Sequence, residues 1–164
     1  MKLLTKLPLL ALLAVLCYSC NTDSLDDNID AMELTLVTPV TKPIEIQVLE
    51  LINNHRLSLG LNPLSDMSLV KSVAFSHTDY MVDNNEVSHA NFYKRNDYLK
   101  AHAGAKKVSE NVAYGYSSAQ TVVNAWLKSD THRATIEGDF TSFDVAAEKN
   151  LDGKWYYTNI FIKK

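Results

Sequence analysis

The 164-residue chain has only two cysteines, Cys17 and Cys20, and everything after Cys20 has none. A domain built from that remainder has no disulfide, no thiol nucleophile and no cysteine-based metal site. Its hydrophobic core must therefore hold it together. The glycine loops that cradle phosphates are absent, and so are G-x-S-x-G and H-E-x-x-H. The basic excess needed to neutralise nucleic-acid phosphates is also missing, since the formal net charge is −3. There is no internal repeat.

The N-terminus is rich in other signals. Lys2 and Lys6 precede a short apolar run, Leu7 to Cys17. That run falls short of the roughly 20 residues that span a bilayer and suits the h-region of a signal peptide. Ser19 stands before Cys20, and Asn21-Thr22-Asp23 turns polar. The arrangement resembles the lipobox of bacterial lipoproteins. The resemblance implies cleavage after residue 19 and an acylated Cys20 that anchors the mature chain in a membrane. Removing Lys2 and Lys6 makes the net charge two units more negative. Asp23, Asp26, Asp27 and Asp30 follow, with Pro39 and Pro43 beyond, so residues 20–43 read as an acidic solvated tether. The expected location is the bacterial cell envelope, outside the cytoplasm, on a periplasmic or surface-exposed face.

Residues 44–164 are long enough for one domain with its own core. Ile44, Val48, Leu51 and Ile52 recur at helical spacing up to Gly60. Ser65 or Asp66 is expected to cap a second helix carrying Leu69, Val73, His77, Tyr80 and Met81. A third helix is expected over 92–103. A fourth, capped by Ser117 or Ser118, presents Val122, Ala125, Trp126 and Ser129. Two extended runs, 143–148 and 155–163, flank Asn150-Leu151-Asp152-Gly153, which reads as a hairpin turn. Helices and antiparallel strands in partly separate blocks predict an α+β fold.

The polar residues able to carry chemistry are few. His89 follows the second helix, Glu110 sits in Ser109-Glu110-Asn111-Val112-Ala113, and His132 follows Trp126-Leu127-Lys128-Ser129. His77 lies on an apolar stripe and reads as a satisfied core histidine. His55 and His102 are expected at helix ends or on solvent faces. Trp126 and Trp155 read as core, Asn111 as a backbone-bonding structural residue, and Tyr114 and Tyr116 as lining or covering a cleft mouth. Ser129, Asp130 and His132 are too close in sequence to give evidence of triad geometry.

These segments resemble, in order, the CAP superfamily (cysteine-rich secretory protein, antigen 5, pathogenesis-related 1) in its cysteine-poor bacterial branch. The residues that carry the likeness are Asn53-Asn54-His55-Arg56 with Gly60-Leu61-Asn62-Pro63-Leu64, then Ala74 to Met81, Ser88-His89, Glu110-Asn111-Val112-Ala113, and Trp126 to Arg133. The resemblance implies a three-layer α–β–α sandwich with a central antiparallel sheet and a cleft of histidines and glutamates. Carried over by residue, His89, Glu110 and His132 match the set able to hold zinc or another divalent metal. A second family glutamate falls at about Ser129. Two imidazoles and a carboxylate with an open position suit an exchangeable zinc site. Glu110 could instead act as a general base, or the three could form a polar cluster without metal. Three functions stay open: a monomeric binding module for a lipid, peptide, glycan or protein, a metal-assisted peptidase-like hydrolase, and an envelope interaction protein with a vestigial cleft.

Overall fold

A computed structural model describes residues 36–164. The expected signal peptide, Cys20 and most of the tether lie outside the described residues. Among the described residues, no helix is long and apolar enough to cross a membrane.

The first helix, α1 (Pro43–Ser58), starts with proline at its first position, where the missing N–H is not needed. Its start is fastened by the Lys42 N–H, which donates to Glu45 Oε2 at 2.6 Å. Two residues of the opening motif then organise the following loop. Asn53 Nδ2 donates to Leu64 O at 3.0 Å, and the Leu64 N–H donates back to Asn53 Oδ1 at 2.8 Å. Arg56 is buried and donates to the carbonyls of Asn62, Ile136 and Gly138.

The chain continues through β1 (Ser65–Asp66), α2 (Ser68–Asn84), α3 (Phe92–Ala103), β2 (Lys107–Tyr114), α4 (Ala119–Lys128), α5 (Asp130–Ile136), β3 (Ser142–Lys149) and β4 (Trp155–Lys163). The sheet order is β1-β3-β4-β2. β4 pairs antiparallel with both β2 and β3, but β1 pairs parallel with β3. The sheet is therefore mixed, a correction to the purely antiparallel expectation. The same short bridge explains a second correction. Ser65 and Asp66 do not cap the second helix, because they pair with Ser142 and Phe143, and Met67 is the N-cap.

Apolar side chains fill both faces of the sheet. One cluster joins Val48, Ile52, Val122 and Trp126 to Phe143, Val145, Tyr157 and Phe161. The other joins Val70, Val73, Leu99 and Ala103 to Val108, Ala146, Ile160 and Ile162. Helices thus cover both sides, giving the layered α+β sandwich. Because β3 and β4 are buried on both faces, they read in sequence as continuous apolar runs rather than alternating ones.

Beyond β1, the outer edge of β3 meets side chains instead of a strand. Ala147 N–H donates to Glu45 Oε1 at 2.8 Å, and Lys71 Nζ donates to Val145 O at 2.6 Å. Lys71 and Glu45 pair with each other at 2.5 Å, both almost wholly buried. A buried ion pair from α1 and α2 thereby satisfies backbone groups that an edge strand would leave open.

Candidate binding cleft

The candidate site is built around β2, the strand at the free side of the sheet. Along β2, Val108, Glu110 and Val112 turn toward α2 and α3, whereas Asn111 and Ala113 turn toward α4 and α5. Glu110 is thus aimed into the α2–α3 layer, where its side chain is 1% exposed. A buried carboxylate needs partners, and these come from α3 and the connection before it. Arg95 grips it with both arms: Nε donates to Oε2 and Nη2 to Oε1, each at 2.8 Å. His89 Nδ1 reaches the same Oε1 at 2.8 Å.

Arg95 was not anticipated. It lies on the buried stripe of α3 with Leu99 and Ala103. A lone arginine at that spacing was the available sequence signal, since a buried guanidinium demands an anion. Arg95 Nη1 also donates to Ala90 O at 2.7 Å, pinning the connection that carries His89.

His77 does sit in the core as expected. Its Nε2–H donates to Ser88 O at 2.8 Å, because a carbonyl can only accept. It also lies 3.9 Å from Glu110 Oε1. Burial, then the nearby Arg95 charge, push the His77 pKa down and outweigh the pull of Glu110. Burial pushes the Glu110 pKa up, but the hydrogen bonds from His89 and Arg95 and the Arg95 charge hold it below the ordinary carboxylate value. Glu110 is therefore an ionised acceptor, and His89 Nδ1–H is the donor. That choice of tautomer leaves Nε2 of a neutral His89 as a free lone pair on a half-exposed ring.

His132 comes from α5, on the far side of β2. Asn111 Nδ2 donates to the His132 carbonyl at 3.1 Å and fixes that helix across the strand, the structural role expected for Asn111. Trp126 Nε1 fixes α4 similarly by donating to Val112 O at 3.1 Å. Burial lowers the His132 pKa, with a smaller contribution from His89 in the same direction. Ser129 lies between α4 and α5 and adds no carboxylate there.

His89, Glu110 and His132 do not stand as three equal ligands in this arrangement. Both Glu110 oxygens already accept from Arg95, and no group of three or more His, Cys, Asp or Glu side chains among the described residues is placed to hold a metal ion. Glu110 acts here as the group that orients the half-exposed His89 ring. Tyr114 and Tyr116 are exposed farther along the same strand and the loop after it.

Comparison with known proteins agrees with this architecture. The chain is 34% identical over 124 residues to the uncharacterized membrane protein YlbC of Bacillus subtilis, covering 73% of this chain and 34% of that one. It is 35% identical over 96 residues to the uncharacterized protein YkwD of the same organism, covering 56% and 37%. The chain thus spans about a third of the length of these curated relatives. Among solved structures, an outer surface protein of Borrelia burgdorferi superposes with a TM-score of 0.64 at 22% identity, covering 84% of this chain and 96% of that one. An extracellular SCP-domain protein of Bacillus anthracis gives 0.63 at 26% identity, covering 78% and 45%. The sequence model of the Cysteine-rich secretory protein family (CAP) matches residues 49–161. With the helix–sheet–helix layers and the strand-borne Glu110 in place, that match over most of the chain shows that it belongs to the CAP family.

Proposed function

We propose that the chain is an extracytoplasmic, lipid-anchored CAP-domain binding module whose cleft engages its ligand through His89 Nε2 and the His132 ring. The observation that carries this reading is the double engagement of Glu110. Its carboxylate is neutralised by Arg95 and orients His89, so it is not available as a free base. An oriented neutral imidazole is a good hydrogen-bond acceptor and a good metal ligand. A divalent metal such as zinc would be held here by the two imidazoles, with Glu110 fixing the tautomer of one of them. The extracytoplasmic placement rests on the N-terminal signal, on the extracellular and outer-surface proteins that share the fold, and on the membrane protein among the relatives.

Zinc calorimetry on the wild type, His89→Ala and His132→Ala tests the cleft. One site lost in both variants is expected; equal binding by all three proteins would sink the shared-site reading. A hydrolase reading draws on the same His89–Glu110 pair, which resembles an oriented general base. No Ser, Thr or Cys side chain among the described residues hydrogen-bonds to His89, however. Turnover on peptide and ester panels that both a chelator and Glu110→Ala abolish would favour the hydrolase over the binding module.

A further inference from the structure

The charges of this acidic chain are unevenly placed. At the end of the sheet where β2 begins and β4 finishes, Lys106, Lys107, Lys163 and Lys164 come together, with Lys100 in the last turn of α3 beside them. The clustering is fixed by backbone: Lys107 and Lys163 are register partners, and the Lys106 N–H donates to Lys163 O at 2.7 Å. Lys100, Lys106, Lys107 and Lys164 are exposed and Lys163 half-exposed. The acids facing them are Asp139, which pairs with Lys163 at 2.6 Å, and Asp97 one turn back on α3. Lys107 Nζ sits over the Phe140 ring at 4.6 Å. The end therefore stays positive on a protein whose net charge is −3.

The N-terminal chain joins the domain near the same end. Leu36 packs into the cluster containing Val70, Ala103, Ala105 and Ile162, and Thr38 Oγ1 lies 3.4 Å from Ser72 Oγ in the first turns of α2. The hairpin and the C-terminus of α2 lie at the opposite end of the sheet, where Asn150 and Tyr156 bond Asn85. We infer that the lysine-bearing end is a docking surface for anionic phospholipid. The inference rests on the proposed anchor at Cys20 but goes beyond it. The sixteen residues 20–35 reach roughly 50 Å when extended, so an anchor alone leaves the domain free to tumble. The acids at 23–33 supply no attraction to an anionic surface. Lysines clustered at one end supply both attraction and a direction, each increasing surface partitioning by roughly fivefold. A lipid chain combined with a basic face is a two-signal attachment. In that pose the hairpin end points away from the bilayer.

The experiment uses the full lipidated chain with one fluorophore at Ala101→Cys beside the lysines, or at Leu151→Cys on the hairpin. Vesicles are phosphatidylcholine with or without phosphatidylglycerol. The expected result is protection of the Ala101 label from an aqueous quencher only with phosphatidylglycerol, lost at high salt, while the Leu151 label stays exposed throughout. Lys106→Gln with Lys107→Gln should lower the docked-to-free ratio roughly 25-fold, two lysines at about fivefold each. Equal protection in both vesicle types, or protection without vesicles, would mean that protein covers this end and would overturn the proposal. Flotation with pure phosphatidylcholine reads the anchor separately. Its loss would overturn the Cys20 reading, while the difference between the two lipids still decides the basic end.

Discussion

Two carboxylates are nearly wholly buried beside a long cation, and they belong to opposite sides of the molecule. Glu45 pairs with Lys71 at the outer edge of β3, and Glu110 pairs with Arg95 beneath His89. Burial and pairing are the same; the remaining bonds differ. Glu45 and Lys71 direct theirs at the backbone of Lys42, Ala147 and Val145, so these bonds serve the fold itself. Glu110 directs one bond at His89, whose ring is half exposed, so the circuit ends at solvent. A buried charge is thus no marker of function by itself. What distinguishes Glu110 is that its buried charge orients a half-exposed imidazole.

The comparison can be broken most forcefully at Lys71. Lys71→Met should leave Glu45 with only the more distant Lys42 ammonium, 3.8 Å away, and two backbone N–H donors, and lower unfolding free energy by about 3 kcal/mol in urea titrations. Adding Glu45→Gln should recover most of that loss, and neither change should alter zinc binding. Arg95→Met should cost less, about 2–3 kcal/mol, since His89 can still donate to Glu110. It should also free Glu110, so zinc binding is expected to tighten, with calorimetry as the readout. Unchanged zinc affinity would show that Arg95 does not compete for the carboxylate.

pH sharpens the contrast further. Burial raises the pKa of Asp144 from 3.8 to about 6, and the backbone N–H groups of Val145 and Met67 only partly offset it. A raised acid stabilises the fold below its unfolded pKa, and that contribution is lost as pH rises through its folded value. Between about pH 4 and pH 6, stability should therefore fall by about 3 kcal/mol from this group, and Asp144→Asn should flatten that limb. Glu110 and His77 act with the opposite sign. Both have lowered pKa values, so their contributions are present above the unfolded values and fade as pH falls. Arg95→Met should shift the acid-unfolding midpoint upward. The smallest effect belongs to His89→Ala. It removes one hydrogen bond to the buried Glu110 carboxylate, which Arg95 still holds, so it should cost about 1 kcal/mol in stability, and zinc calorimetry should show the loss of the proposed site.

Much of this was legible in the sequence because periodicity and local chemistry agreed. Phe92–Ala103, Trp155–Lys163 and the Ser118 cap, whose side chain accepts from the Thr121 N–H, stand where the pattern placed them. β2 was harder to read, because its alternation carries polar residues on both faces. Glu110 fills one side of the strand and Ser109 and Asn111 the other, so the apolar signal is diluted where the cleft crosses it. β1 is two residues long and exists through its tertiary pairing to β3, which no local propensity encodes. The pairing of Glu110 with Arg95 depends on a residue outside the motifs that the sequence singled out. Arg56 shows the reverse. A residue of the opening motif is a structural fastener, holding three carbonyls from two separate turns.

The capped edge of β3 has a consequence for crowding. A strand with open amide groups invites another chain to continue the sheet, which is how many β-rich proteins polymerise. Here Val145 O and Ala147 N are already bonded to side chains that α1 and α2 hold in place. An incoming strand would have to expel a paired lysine and glutamate from the interior before forming its first bond. On the far side of the sheet, Trp126 occupies the Val112 carbonyl of β2. The β3 edge is therefore closed to a second copy that would continue the sheet there.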